Sequence, residues 1–188
     1  MADVSVRPAR VEDVPAIARV QVGTWRTAYA DLLPASVLDA ATVERAQAEW
    51  EAAVASPPSP AHRVLVAVDG TELVGFAAFG PADPGEDDAD GPDGQIHALL
   101  VEPRWGRRGH GSRLLAATVD LMREAGVARA LVWVVEGDPA STRFYASAGW
   151  ERDGWVRTLE DGGRIVREAR HHVSLGDGPQ ETVTEERG

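Results

Sequence analysis

The chain has 188 residues, enough for one domain with a sizeable hydrophobic core. Its 30 acidic residues outnumber 19 basic ones, and the formal net charge of −11 argues against sequence-independent binding of nucleic acid. There is no cysteine, which excludes a disulfide, a thiolate nucleophile and any Cys-based zinc site.

No apolar run reaches about 18 residues, so no transmembrane helix is expected. The N-terminal "MADVSVRPARVEDV" lacks a basic segment followed by an apolar one, so no signal peptide is read and the cytoplasm is the expected location. All the basic charge is arginine; the chain has no lysine and no asparagine.

"VSVRPA" (4–9) alternates and predicts a short strand. From Val11 to Tyr29, Val14, Ala18, Val22, Trp25 and Tyr29 recur at three or four residues and predict an amphipathic helix. Pro15 is tolerated there only in the first turn. A second helix is expected over 35–54, with Val37, Leu38, Ala41 and Trp50 inward, ended by "SPPSP". "HRVLVAVDGTELVGFAAFG" (62–80) predicts a hairpin turning at Asp69-Gly70, the pair a type I′ turn prefers. "PADPGEDDADGPDG" (81–94) has no periodicity and predicts a long exposed acidic loop.

"QIHALLVEP" (95–103) predicts a strand buried on both faces. A Gly/Arg-rich turn follows, then a helix to Glu124 with Leu114, Leu115, Thr118, Leu121, Met122 and Ala125 in one stripe, and Gly126 at its end. "ARALVWVVEG" (128–137) predicts another buried strand. "DPASTRFYASAG" predicts a short helix with Asp138 as cap, Pro139 at its first position and Gly149 at its end. "WERDGWVRTL" and "GRIVREARHHVSL" predict a closing antiparallel pair. Residues 1–175 are expected to form one domain and 176–188 a flexible tail. The class is α/β: a mixed sheet with helices on its faces.

A glycine-rich turn between a buried strand and a helix N-terminus lets backbone N–H groups approach a ligand and aims the positive helix end at it. Arg107 and Arg108 add charge at the same point, and the natural guest is a phosphate or pyrophosphate. The P-loop pattern is excluded because it needs a lysine, and the dinucleotide fingerprint fails because its third glycine position is Leu114.

"LLVEPRWGRRGHGSRLL" resembles the signature of the GNAT superfamily of acyl-CoA-dependent N-acetyltransferases. "GTWRTAYADLLPASVLDA" (23–40) and "VVEGDPASTRFYASAGWERDG" (134–154) are similar to its first two helices and its strand-five, helix-four region. The resemblance implies a single, mostly antiparallel sheet with helices on both faces and central strands splayed around the cofactor. It implies acetyl-CoA as cosubstrate and a primary amine of a small molecule or peptide as acceptor, joined by direct attack. It places Leu99, Leu100 and Val101 along the pantetheine arm and Arg107, Arg108, Gly109, His110, Gly111 and Ser112 at the pyrophosphate. Tyr145 stands at the family's general-acid position near the sulfur, Asp138 at the capping position usually held by Asn, and Trp25 and Tyr29 at the acceptor pocket.

The general base is open between His97, a buried histidine without that role, and water leading to a carboxylate. Gly106 stands where Gln or Arg is usual and Gln95 where many relatives carry Glu. Two other readings follow from those departures: a non-catalytic acyl-CoA-binding sensor or interaction module, and an acyltransferase using another acyl-CoA. A homodimer is compatible with the resemblance. His171 and His172 face opposite sides of a strand and lack metal-ligand spacing, so no metal is expected.

Overall fold

The computed structural model describes residues 4–83, 92–161 and 164–176. In chain order these form β1 (Val4–Pro8), α1 (Val14–Ala28), α2 (Ala35–Ala40), α3 (Val43–Ala55), β2 (Arg63–Asp69) and β3 (Glu72–Pro81). There follow β4 (Asp93–Val101), α4 (His110–Glu124), β5 (Arg129–Val135), α5 (Pro139–Ser147), β6 (Glu151–Asp161) and β7 (Arg164–Ser174). Seven strands make one sheet in the order β1-β2-β3-β4-β5-β7-β6. Only β4 and β5 pair in parallel. Among the described residues no helix is long and apolar enough to cross a membrane.

Helices cover both faces, as the mixed class requires. On one face Leu114, Leu115, Val119 and Met122 of α4 and Tyr145 of α5 pack against Leu65, Ala77, Ile96 and Val132 of the sheet. On the other, Ile17 and Val20 of α1 meet Val66, Phe76 and Leu100. Burying side chains of that size contributes roughly 1.5–3 kcal/mol each before entropy is counted.

Several local expectations are corrected. Residues 11–13 form a 3-10 turn, and α1 begins at Val14 with Pro15 in its first turn. The helix expected over 35–54 is two helices. Thr42 is extended (φ −97°, ψ 154°) and its Oγ1 accepts from the Arg45 amide at 3.2 Å, which caps α3 and breaks the run. Ala46 rather than Ala41 is the buried residue there.

The β2–β3 turn is Gly70-Thr71, since Asp69 pairs with Glu72. Gly70 has φ +62° and Thr71 does not have positive φ, so the turn has the glycine-first pattern of type II′ rather than I′. Most of the acidic segment, 84–91, lies outside the described residues, as do 177–188 of the expected tail. Asp93 does not belong to an exposed loop: it opens β4, its side chain is fully enclosed, and it is paired with Arg129 of β5.

That ion pair sits at the root of a fork. The parallel ladder runs from Asp93 opposite Arg129 only as far as Ile96 opposite Val132. Beyond it β4 stays with β3 while β5 stays with β7. At the same level the β3 partners jump from Ala98 to Ile96, which leaves His97 as a bulge residue on β4. The strand expected to be buried on both faces is therefore continuously buried only to Ile96, and beyond it only Leu100, under α1, is buried again. His97 is exposed and Ala98 and Leu99 are half-buried, because no strand covers that edge of β4.

Candidate active site

The tip of the fork and the start of α4 face one another across a groove of about 390 Å³. Its floor is Leu99, Leu100 and Val101 of β4. One end is the turn Gly106–Ser112, and the far wall is Asp138, Ser141 and Phe144 of α5.

The turn is shaped by two left-handed residues. Gly109 has φ +82°, and Arg107 has φ +58°, a region side chains rarely adopt. Backbone outliers of this kind cluster where ligands bind. The turn ends at α4, whose first-turn amides have no carbonyl one helical turn back to receive them. A Cβ on Gly111 would lie 3.4 Å from Phe144 and 3.7 Å from Val101, both groove-lining residues. The glycine therefore keeps the groove open where the amides emerge.

The arginines of the turn divide by partner. Arg104 pairs with Glu102 at 2.8 Å. Arg113 donates to the Arg108 carbonyl at 3.2 Å. The Arg108 guanidinium lies 4.8 Å over the Trp105 ring and is not part of the groove lining. Arg107 is exposed and lines the groove. Of the two arginines expected at the pyrophosphate, the structure brings Arg107 to the groove and sends Arg108 to Trp105.

His110 is 1% exposed and lines the groove from the first position of α4. Its Nε2 lies 3.4 Å from Asp69 at the end of β2, too loosely aligned for a hydrogen bond, and Nδ1 has no hydrogen-bond partner. Thr24 Oγ1, also groove-lining and buried, is unsatisfied as well. Buried polar atoms left without partners mark a place where a polar ligand can complete the bonding.

A second, smaller cavity of about 190 Å³ fills the fork itself. It is lined by Ile96 to Leu100 of β4, Val132 to Val135 of β5, Trp25 of α1 and Tyr29 just after it, Tyr145 of α5 and Glu168 of β7. Tyr29, Leu99, Leu100, Asp138 and Ser141 line both spaces, so the two meet at the N-terminus of α5.

Asp138 organises that junction. Its carboxylate accepts from the amides of Ala140 and Ser141 at 3.0 Å each and from Ser141 Oγ at 2.5 Å. The Tyr29 hydroxyl lies 3.5 Å from Ser141 Oγ. Burial raises the Tyr29 phenol above its ordinary range, against the lowering effect of that contact with Ser141. Tyr145 is 5% exposed and packs on Trp150 and Phe144 at ring distances of 5.3 and 5.1 Å. Burial pushes its phenol up strongly, and the nearby Tyr29 and Asp138 add to the rise. Tyr145 thus serves the core and borders the cavity at once, a combination set by its place between α5 and the sheet.

His97 also lines the cavity, with its Nδ1 3.2 Å from the Gln95 carboxamide nitrogen. The direction of this hydrogen bond depends on the His97 tautomer. Despite the bulge at His97, its ring reaches Gln95.

Sequence reasoning missed Trp133, Glu168, Ser141 and Phe144 as lining residues. Ser141 was legible, three residues after the cap. Glu168 and Trp133 need the β5–β7 register, which no local pattern supplies.

A splayed parallel pair with a glycine-rich helix start facing it defines a class of acyl-transfer fold. Residues 25–150 match the acetyltransferase (GNAT) family, and the chain belongs to that family. It is 32% identical over 174 residues, 92% of each chain, to the uncharacterized N-acetyltransferase YuaI of Bacillus subtilis. It is 39% identical over 90 residues to a mycothiol acetyltransferase of Thermobispora bispora, a match spanning 48% of this chain and 26% of that protein. In fold it is similar to an N-acetyltransferase from Staphylococcus aureus Mu50, with TM-score 0.72, 16% identity and coverage of 93% and 99% of the two chains. The PaiA N-acetyltransferase of Thermoplasma acidophilum, solved in complex with coenzyme A, gives TM-score 0.70 at 17% identity, with 88% and 98% covered.

Proposed function

We propose that the protein is a cytoplasmic N-acetyltransferase that moves an acetyl group from acetyl-CoA to a primary amine by direct attack. The observation that carries this reading is the meeting of groove and cavity at Tyr29, Leu99, Leu100, Asp138 and Ser141. One space suits a long phosphate-bearing donor and the other a small acceptor, and they join beside the unpaired edge of β4.

The residues present fit such a donor. The α4 amides and Arg107 hold its pyrophosphate, with the positive helix end aimed at the charge. Gly111 leaves the approach open, and the unsatisfied His110 Nδ1 and Thr24 Oγ1 offer further partners along the groove. Leu99, Leu100 and Val101 run beside the pantetheine arm, where the edge of β4 that faces β5 has lost its strand partner.

Acetyl-CoA supplies an activated acyl group: a C–N bond forms, the C–S bond breaks, and the amine gives up a proton. Tyr145 borders the place where that exchange falls, and its raised phenol keeps the proton needed by a leaving thiolate. His97 is held at Nδ1 by Gln95. Accepting the amine's proton at Nδ1 would first require release of Gln95.

Calorimetry with acetyl-CoA, CoA and NADH tests the reading. Both CoA species are expected to bind and NADH is not; failure of both to bind sinks the proposal. CoA binding without thiol release across a broad amine panel would favour the sensor reading.

A further inference from the structure

We propose that the acceptor is a small cationic amine with no carboxylate beside the reacting nitrogen, and that the site rejects zwitterionic amino acids. This rests on the acetyl-transfer reading and names the substrate class of the same site.

The argument is one of size and charge. The fork cavity, about 190 Å³, falls below the roughly 300–1,000 Å³ typical of sites for drug-sized ligands, so it admits a small body or one end of a larger one. Asp138 and Glu168 line it, and both are carboxylates. Among the described residues no arginine belongs to its lining, and the chain has no lysine to reach in.

The cations on neighbouring strands are held in the wall. Arg157 stands opposite Glu168 in the β6–β7 ladder. Its Nε donates to Glu168 at 2.6 Å, and its guanidinium lies 4.5 Å over the Trp133 ring. Arg170 is fully buried, bonded to Asp153 at 2.6 Å and covered by Trp155 at 4.3 Å. Arg157 offsets part of the Glu168 charge through Oε2.

Trp25, Tyr29 and Trp133 complete the walls. Aromatic faces attract a cation and accept an apolar body equally well. With Tyr145 the lining offers an ammonium four aromatic rings, the Glu168 carboxylate and the Asp138 carboxylate, the last already accepting from α5 and Ser141. A carboxylate attached to the same carbon would enter a space lined by its own sign of charge, with no arginine of the described residues in that lining.

The test uses the CoA-saturated protein and needs no turnover. Calorimetry compares 2-phenylethylamine, tryptamine and butylamine with phenylalanine, tryptophan and norvaline, which are the same amines bearing a carboxylate. Phenylalaninamide separates charge from bulk. At least one amine is expected to bind, and its amino acid to bind at least about thirtyfold more weakly, because like charges oppose docking. Phenylalaninamide should follow 2-phenylethylamine. In Glu168→Gln the gap should narrow from both sides, the amine weakening and the amino acid strengthening, which a merely structural change would not produce. If that variant fails to fold, the unmutated comparison decides alone. Equal binding of amine and amino acid, preference for the amino acid, or no binding of any amine overturns the proposal. Loss of CoA binding itself would instead strike the acetyl-transfer reading.

Discussion

The turn at 106–112 and the cavity in the fork hold the two halves of the proposed reaction, and they are built by different means. The turn is local: two left-handed residues, bare glycine backbone and a helix start lie within a few consecutive positions. The cavity draws on five elements, from Gln21 on α1 to Glu168 on β7. Its shape depends on where β4 and β5 part, and so on the Asp93–Arg129 pair below the fork and the bulge at His97. A local site can lose one contact and keep its fold. A site made by register fails together with the sheet that sets it.

The largest expected effect attacks the fork. Arg129→Met leaves the enclosed Asp93 carboxylate without its charge partner, and an uncompensated buried charge costs roughly 3–5 kcal/mol. Urea unfolding should show that loss. A change under about 1 kcal/mol would mean that Asp93 regains water easily and that the fork does not depend on the pair.

Next comes Tyr145→Phe, which removes one hydroxyl and keeps the ring packing on Trp150. Turnover should fall about a hundredfold with acetyl-CoA affinity kept, the scale of a lost general acid. Unchanged turnover rejects the acid role. Because the folded phenol is raised, wild-type turnover should show no loss from Tyr145 ionisation up to about pH 10. Above that pH the unfolded chain releases this proton first, so stability should fall as pH rises, and less so in Tyr145→Phe.

The same contrast explains what the sequence revealed. The Asp138 cap, the α4 start at the Gly/Arg turn and the strand order along the chain are local chemistry, and the structure has them as expected. The break at Thr42 was also local, but a capping threonine inside an alanine-rich run is outweighed by helix propensity when read alone. Asp93 looked like one more acid in an acidic loop, and only its partner 36 residues away makes it a buried clamp. Glu168 and Trp133 belong to alternating strands whose inward face is unknown until β7 is placed beside β5. The GNAT resemblance supplied the splay of the strands, which periodicity could not, because nothing in "QIHALLVEP" marks Ile96 as the last paired residue.

The smallest effect separates two neighbours within the turn. Arg107 and Arg108 are adjacent and equally charged, and the sequence gives no reason to prefer either. The structure does: Arg107 lines the groove, while Arg108 rests on Trp105 and offers its carbonyl to Arg113. Arg107→Ala should weaken acetyl-CoA binding roughly tenfold at low salt, the scale of one charge-assisted contact to phosphate at an exposed site. Raising the salt should shrink that difference. Arg108→Ala should change affinity less than about threefold, because Arg108 does not line the groove and the change removes its cation–π contact with Trp105. Equal losses for the two would mean that Arg108 leaves Trp105 when the phosphates arrive. Equal indifference would return both arginines to the surface and leave the anion to the α4 amides alone.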